Sequence, residues 1–200
     1  MTGTEAELGL VLATRNAHKL REFERLLAPG GVGVTELPTE VTLPPEDGET
    51  FEANALPKAR AAAAATGRAA IGDDSGIEAA ALGGRPGVRS ARFAGVGASD
   101  EENLARLLEL APAGSELRYV CALAYVDPVT GIERVFWGAC SGRLAREPAG
   151  SGGFGYDPAF LPDGDHGGRT MAQLGDAEKD IISHRGLAAR ELLRWLAPTT

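Results

Sequence analysis

Residues 8–36, LGLVLATRNAHKLREFERLLAPGGVGVTE, decide the fold. Leu8 to Thr14 is an apolar run of strand length, and Asn16 after it is a good helix N-cap. Leu20, Phe23, Leu26 and Leu27 then recur at helical spacing until Gly30-Gly31 stops the helix. Val32 to Glu36 reads as a second strand, so the chain opens with a strand–helix–strand unit of an α/β fold. Downstream lies a Pro-rich acidic loop over Leu37 to Glu49, after which Thr50 opens an Ala-rich helix running to about Thr66. Pro57 inside that helix removes one backbone bond and is expected to kink it. Ala69 to Gly72 reads as a short strand ending in a tight turn at Asp73-Asp74-Ser75-Gly76.

Gly83 to Ala98 is Gly-rich and dotted with arginines, a loop long enough to be read as functional. Ser99-Asp100-Glu101-Glu102 is a capping box ahead of Leu104, Leu107, Leu108 and Leu110. Glu116–Asp127 and Ile132–Ser141 alternate like antiparallel strands joined by a turn at 127–131. Residues 147–158 form a second Gly-rich loop, and a helix from about His184 to Leu196 closes the chain. No repeat or linker divides residues 1–200, which are read as a single α/β domain with strands of both senses.

The 200 residues are 44% hydrophobic and 24% charged, an ordinary globular balance with chain enough for a sizeable core. A formal charge of −8 argues against a polymeric nucleic acid or an anionic membrane as partner, since both attract net positive fields. No window approaches the ~18 apolar residues of a membrane span. Met1 to Glu7 lacks the basic start and apolar run of a signal peptide. Cys121 and Cys140 sit in apolar strands without metal-ligand spacing, as buried thiols of a reducing cytoplasm. The chain has only three lysines, Lys19, Lys58 and Lys179. Codon bias accounts for the arginine excess, but each lysine falls in a segment that also carries candidate chemistry.

Thr14-Arg15-Asn16-Ala17-His18-Lys19 places a strand-to-helix turn and a lysine where a helix dipole favours an anion, although a capped surface helix reads the same way. Gly150-Ser151-Gly152-Gly153-Phe154-Gly155 satisfies G-x-G-x-x-G, yet Tyr156-Asp157-Pro158 follows it and no helix opens there. The dinucleotide reading is therefore rejected. With Phe154, Tyr156 and Asp157, this loop suits a wall for a flat ring. The acids of Asp73-Asp74-Ser75-Gly76 and Glu46-Asp47-Gly48-Glu49 are a hard-oxygen source for Mg²⁺, which takes one or two carboxylates plus substrate phosphates. Taken singly, each is equally a solvated turn. His184-Arg185 puts cations at a helix start, against the dipole, as if for something outside the helix. His18 and His166 lack zinc spacing.

Together, the segments ATRNAHK, TFEANALPKA, IGDDSG, GGRPGVRSARF, REPAGSGGFGYDPAF and EKDIISHRG resemble, in order, the inosine/xanthosine triphosphate pyrophosphatase family. The resemblance spans about Leu10 to Trp195. It implies a long, twisted mixed β-sheet with helices in two lobes and a cleft between them, acting as a homodimer. It further implies hydrolysis of deaminated purine nucleoside triphosphates to monophosphate and pyrophosphate. Thr14, Arg15, Asn16, Ala17, His18 and Lys19 would hold the triphosphate, reached also by Lys58. Glu46 and Asp74 would hold Mg²⁺, with Asp74 as general base and Ser75 beside the substrate. Phe154, Gly155, Tyr156 and Asp157 would form the base pocket, completed by Lys179, His184 and Arg185. Arg15 stands where the family commonly has Gly, and Gln173 where it often has Glu. Two other classes remain: a Maf-like pyrophosphatase with another base preference, and a non-catalytic nucleotide-binding module.

Overall fold

The structure, a computed structural model, describes residues 8–197; the reading of residues 1–7 as lacking a signal lies outside them. Six strands form one sheet in the order β2-β1-β3-β4-β5-β6. These are β1 (Leu8–Leu12), β2 (Val32–Glu36), β3 (Ala70–Ala79), β4 (Glu116–Val126), β5 (Glu133–Leu144) and β6 (Phe160–Pro162). Five α-helices accompany them: α1 (Ala17–Leu27), α2 (Phe51–Thr66), α3 (Asp100–Leu110), α4 (Asp176–Ile182) and α5 (His184–Leu196). β1 pairs in parallel with both β2 and β3, whereas β6 lies antiparallel to β5, so the sheet is mixed as expected. No described helix is long and apolar enough to cross a membrane.

The chain packs as two compact units whose segments interleave. Among the described residues, one holds 8–74, 122–137 and 188–197, and the other 75–121 and 138–187. Leu10, Leu12, Phe23, Leu27, Ile71 and Leu192 are fully buried in the first. In the second, Ile77, Leu107, Leu117, Tyr119, Phe160 and Met171 belong to a single hydrophobic cluster.

Helix α2 shows how the first unit is built. Phe51, Asn54, Ala55, Lys58, Ala59, Ala62 and Ala63 are its buried residues, the stripe that a 3.6-residue period brings to one face. Four of them are alanines, which lets the helix backbone come close to β3. A Cβ on Gly72 would overlap the Ala55 carbonyl and lie 2.8 Å from the Ala59 nitrogen, so only glycine fits. Gly72→Ala is expected to cost about 1–3 kcal/mol of stability, because the atoms in the way are backbone. Urea denaturation measures this directly. Pro57 is accommodated within α2, which remains helical from Phe51 to Thr66.

Two local expectations are corrected. The strand placed at Ala69–Gly72 instead runs to Ala79, so Asp73-Asp74-Ser75-Gly76 lies within a buried strand and not at a turn. The carboxylates are tolerated there because partners on α1 and α2 meet them. The supposed long loop at Gly83–Ala98 contains a 3₁₀ helix over Gly87–Arg92, with Ser90 buried inside it. Helix α4 and the short β6 were not anticipated; seven and three residues give little periodicity to read.

Candidate active site

Two groups of buried polar side chains stand out, one in each unit. The first is centred on β3. Consecutive side chains of a strand point to opposite faces, and the neighbours Asp73 and Asp74 accordingly have different partners. Asp73 Oδ2 lies 2.5 Å from Lys19 Nζ of α1. Asp74 Oδ2 accepts a hydrogen bond of 2.9 Å from Asn54 Nδ2 of α2. Lys58, one helical turn beyond Asn54, donates to the Asp73 carbonyl at 2.6 Å and pairs with Glu46 from the acidic loop. Asn54 also accepts the Gly48 amide at 2.8 Å, so one buried side chain ties the acidic loop to Asp74.

The electrostatics separate these acids. Burial raises the Asp74 carboxyl above the ordinary aspartate range, with Lys58, Asn54 and Lys19 only partly opposing it. Burial acts on Glu46 in the same direction, but the Lys58 charge and hydrogen bond, with Lys19, outweigh it and hold Glu46 below its ordinary value. An acid destabilised as an anion and held by a neutral amide is suited to taking a proton; an acid clamped by an ammonium is not. Asp73 pairs with Lys19 and Asp74 accepts from the Asn54 amide, so the two adjacent aspartates have different surroundings.

In the turn at residues 14–19, three backbone amides are bound by the turn's own side chains. Asn16 Oδ1 accepts the His18 and Lys19 amides at 2.8 and 3.2 Å, and Thr14 Oγ1 accepts the Asn16 amide at 3.1 Å. Ala17 opens α1, and the exposed His18 ring contacts Arg21. The Arg15 guanidinium hydrogen-bonds to carbonyls of the 37–41 loop. No non-glycine residue has positive φ among the described residues, so the arginine replaces the family's usual glycine without backbone strain.

The second group surrounds Asp157, at the end of the second Gly-rich loop. Its carboxylate accepts from Tyr119 Oη at 3.0 Å, the Phe154 amide at 3.1 Å and Lys179 Nζ at 2.8 Å. Asp157 and Lys179 are both buried, which makes them a scaffold beneath Phe154. Lys179 Nζ and Arg185 Cζ lie 5.5 and 5.0 Å from the Phe154 ring centroid, within cation–π range. Arg185 also donates to Ser75 Oγ at 2.6 Å. His184 stacks on Tyr119 with centroids 4.6 Å apart, and the Tyr119 hydroxyl is held neutral by burial and by the neighbouring Asp157. Tyr156 Oη donates to the Ser90 carbonyl, and the Gly155 amide donates to Asp100. Gln173 accepts the Thr170 amide and so caps a short turn.

Asn54, Tyr119, Ser90 and Asp100 are therefore site-shaping residues that the sequence reading passed over. Asn54 did carry a signal. It is a poor helix former placed four residues before Lys58, hence on the same face. Tyr119 gave none, because an aromatic in an apolar strand reads as core.

As to a metal, no three carboxylate, histidine or cysteine groups converge on one point among the described residues. Mg²⁺ needs only one or two carboxylates when phosphates supply other oxygens. Glu46 and Asp74 are hard-oxygen donors of the kind such an ion takes.

Known proteins share this arrangement of elements. A profile of the Ham1 family matches residues 10–195. A dITP/XTP pyrophosphatase of Mycolicibacterium paratuberculosis is 51% identical over 193 residues, covering 92% of this chain and 93% of its own. The structure of a HAM1 protein from Coxiella burnetii superimposes with a TM-score of 0.81 at 39% identity, covering 94% of this chain and 98% of that one. A nucleoside-triphosphatase / dITP/XTP pyrophosphatase from Mycobacterium abscessus gives 0.71 at 42% identity, covering 94% and 100%. Sequence and fold agree over nearly the whole length, and the chain belongs to the Ham1 family.

Proposed function

We propose that the protein hydrolyses deaminated purine nucleoside triphosphates, dITP and XTP among them, to the monophosphate and pyrophosphate. The observation that carries the chemistry is the charged set gathered at β3 from α1, α2 and the acidic loop. Three carboxylates, Asp73, Asp74 and Glu46, are interleaved with the ammonium groups of Lys19 and Lys58. The specificity is supported by the names of relatives about half identical to this chain, such as the enzyme of Mycolicibacterium paratuberculosis.

The phosphates are handled by Lys19 and Lys58. Both turn donors to phosphate oxygens, Lys19 while keeping Asp73, and Glu46 and Asp74 would hold Mg²⁺. When bound, the ion neutralises phosphate charge. Asp74 orients a water and takes its proton as the water oxygen bonds to the α-phosphorus. The bond from that phosphorus to the bridging oxygen breaks, and pyrophosphate leaves with the bonding pair, its charge met by the two lysines.

The base is handled by residues around Asp157, where Phe154 offers a ring for stacking and Arg185 offers donors. Hypoxanthine and xanthine carry a 6-oxo acceptor, whereas adenine carries a 6-amino donor. A donor-lined edge would leave adenine's amino group and the protein's donors unpaired. The cytoplasmic location and the homodimer belong to this proposal through the family resemblance; light scattering on the purified protein tests the dimer.

Pyrophosphate release from dITP, XTP, dATP, dGTP and dTTP, with and without Mg²⁺, tests the reading. Mg²⁺-dependent turnover of dITP and XTP well above dATP is expected. Preferred hydrolysis of dTTP would point to a Maf-like specificity, and no turnover of any of the five would leave a binding module. Either result would overturn the proposal. Lys58→Ala is expected to weaken substrate binding and slow turnover by about tenfold or more, as loss of a charge-assisted contact of ~1.5–3 kcal/mol implies. Steady-state kinetics on dITP measures it.

A further inference from the structure

Arg15 stands between two residues of the phosphate turn, yet its side chain serves the acidic loop. Nη1 donates to the Leu37 carbonyl at 2.6 Å, and Nη2 faces the carbonyls of Pro38, Thr39 and Val41 at 2.8, 3.2 and 2.7 Å. Nη2 has only two hydrogens for these three acceptors, so at least one bond is shared. Four carbonyls converging on one group make a small concentration of negative partial charge. A planar cation with several donors satisfies it; glycine, with no side chain, cannot.

Residues 37–50 contain neither helix nor strand, and Glu46 lies among them. A loop of this kind has little of its own to define its path. Its far end is held by Asn54 at Gly48, and its middle by the Lys58–Glu46 ion pair. The near end is held by the Arg15 guanidinium, alongside the buried Leu37.

We propose that Arg15 is a positioning residue. By fastening residues 37–41 to the turn at 14–19, it fixes where the acidic loop presents Glu46 to the metal-bearing triphosphate. The inference rests on the pyrophosphatase reading for its consequence, but the fastening itself can be measured without catalysis. It also ties the phosphate turn to the carboxylate loop mechanically, so the two halves of the triphosphate site keep one spacing.

Hydrogen–deuterium exchange on the full-length protein tests the fastening, comparing wild type with Arg15→Ala and Arg15→Lys. Arg15 is exposed, so neither variant disturbs the core. Backbone amides of residues 37–49 should exchange about tenfold faster in Arg15→Ala. Arg15→Lys, which keeps a cation with fewer directed donors, should be intermediate. On dITP, the Mg²⁺ concentration for half-maximal turnover should rise about tenfold in Arg15→Ala, with the nucleotide KM at saturating Mg²⁺ little changed. Unchanged exchange over 37–49 would overturn the proposal. So would a loss confined to the nucleotide KM, which is the mark of a guanidinium resting on phosphate. If the wild type hydrolyses none of the nucleotides, the pyrophosphatase reading fails while the exchange experiment still decides whether Arg15 holds the loop.

Discussion

Asp74→Asn is expected to lower turnover of dITP by about 10²–10⁴-fold, the range that a positioned general base supplies, and to leave the fold at least as stable as wild type. Both halves follow from the site. The amide introduced at position 74 offers an oxygen to the same Asn54 Nδ2 that now meets Asp74 at 2.9 Å, so the local hydrogen bond survives. The substitution removes a charge that burial disfavours, as its raised pKa records. Asp73→Asn should behave in the opposite way. It takes from Lys19 a carboxylate at 2.5 Å whose side chain is fully buried, so its effect should appear first in stability. Parallel kinetics and urea denaturation on the two variants separate the roles. Wild-type turnover in Asp74→Asn would move the base to another residue.

The sequence revealed most where a pattern is local and repeated. Asn16 as the cap of α1, the Ser99 capping box and the limits of β2, α2 and α5 all coincide with the structure, because caps and periodic stripes are decided within one or two turns. The acid pair misled because two adjacent aspartates in a central strand are unfavourable unless each finds a partner, and those partners lie far away in sequence. Lys19 precedes Asp73 by more than fifty residues, and Asn54 precedes Asp74 by twenty. Arg15 shows the same limit: its position in the turn was legible, but the direction of its side chain depended on where residues 37–41 run. Spacing can propose which residues gather at a site. It cannot tell an acid that reacts from one that is clamped, since that is decided by burial and partners together.

Around Asp157 the same distinction can be drawn by stability. Asp157→Ala should cost about 3–5 kcal/mol, the loss expected when one member of a buried ion pair is removed. Lys179 Nζ loses the acceptor it meets at 2.8 Å, and the Tyr119 hydroxyl and Phe154 amide lose theirs in the same step. Lys179→Met should cost less, because the remaining carboxylate still accepts from Tyr119 and Phe154 while the methionine stem refills the buried volume. Asp157→Asn should be milder than the alanine variant, since an amide oxygen can still accept. Gly153 makes the close approach possible: it has φ of +69°, and a Cβ there would strike the Asp157 carboxylate and sit 3.0 Å from Lys179 Nζ. Urea denaturation gives the ranking, and KM for dITP against kcat shows its consequence. With the scaffold loosened, Phe154 is no longer held for stacking and KM should rise more than kcat falls. Asp157→Ala with unchanged stability and lost base discrimination would mean that this carboxylate touches the base directly. Its three bonds, all to the protein's own donors, are what the scaffold role requires.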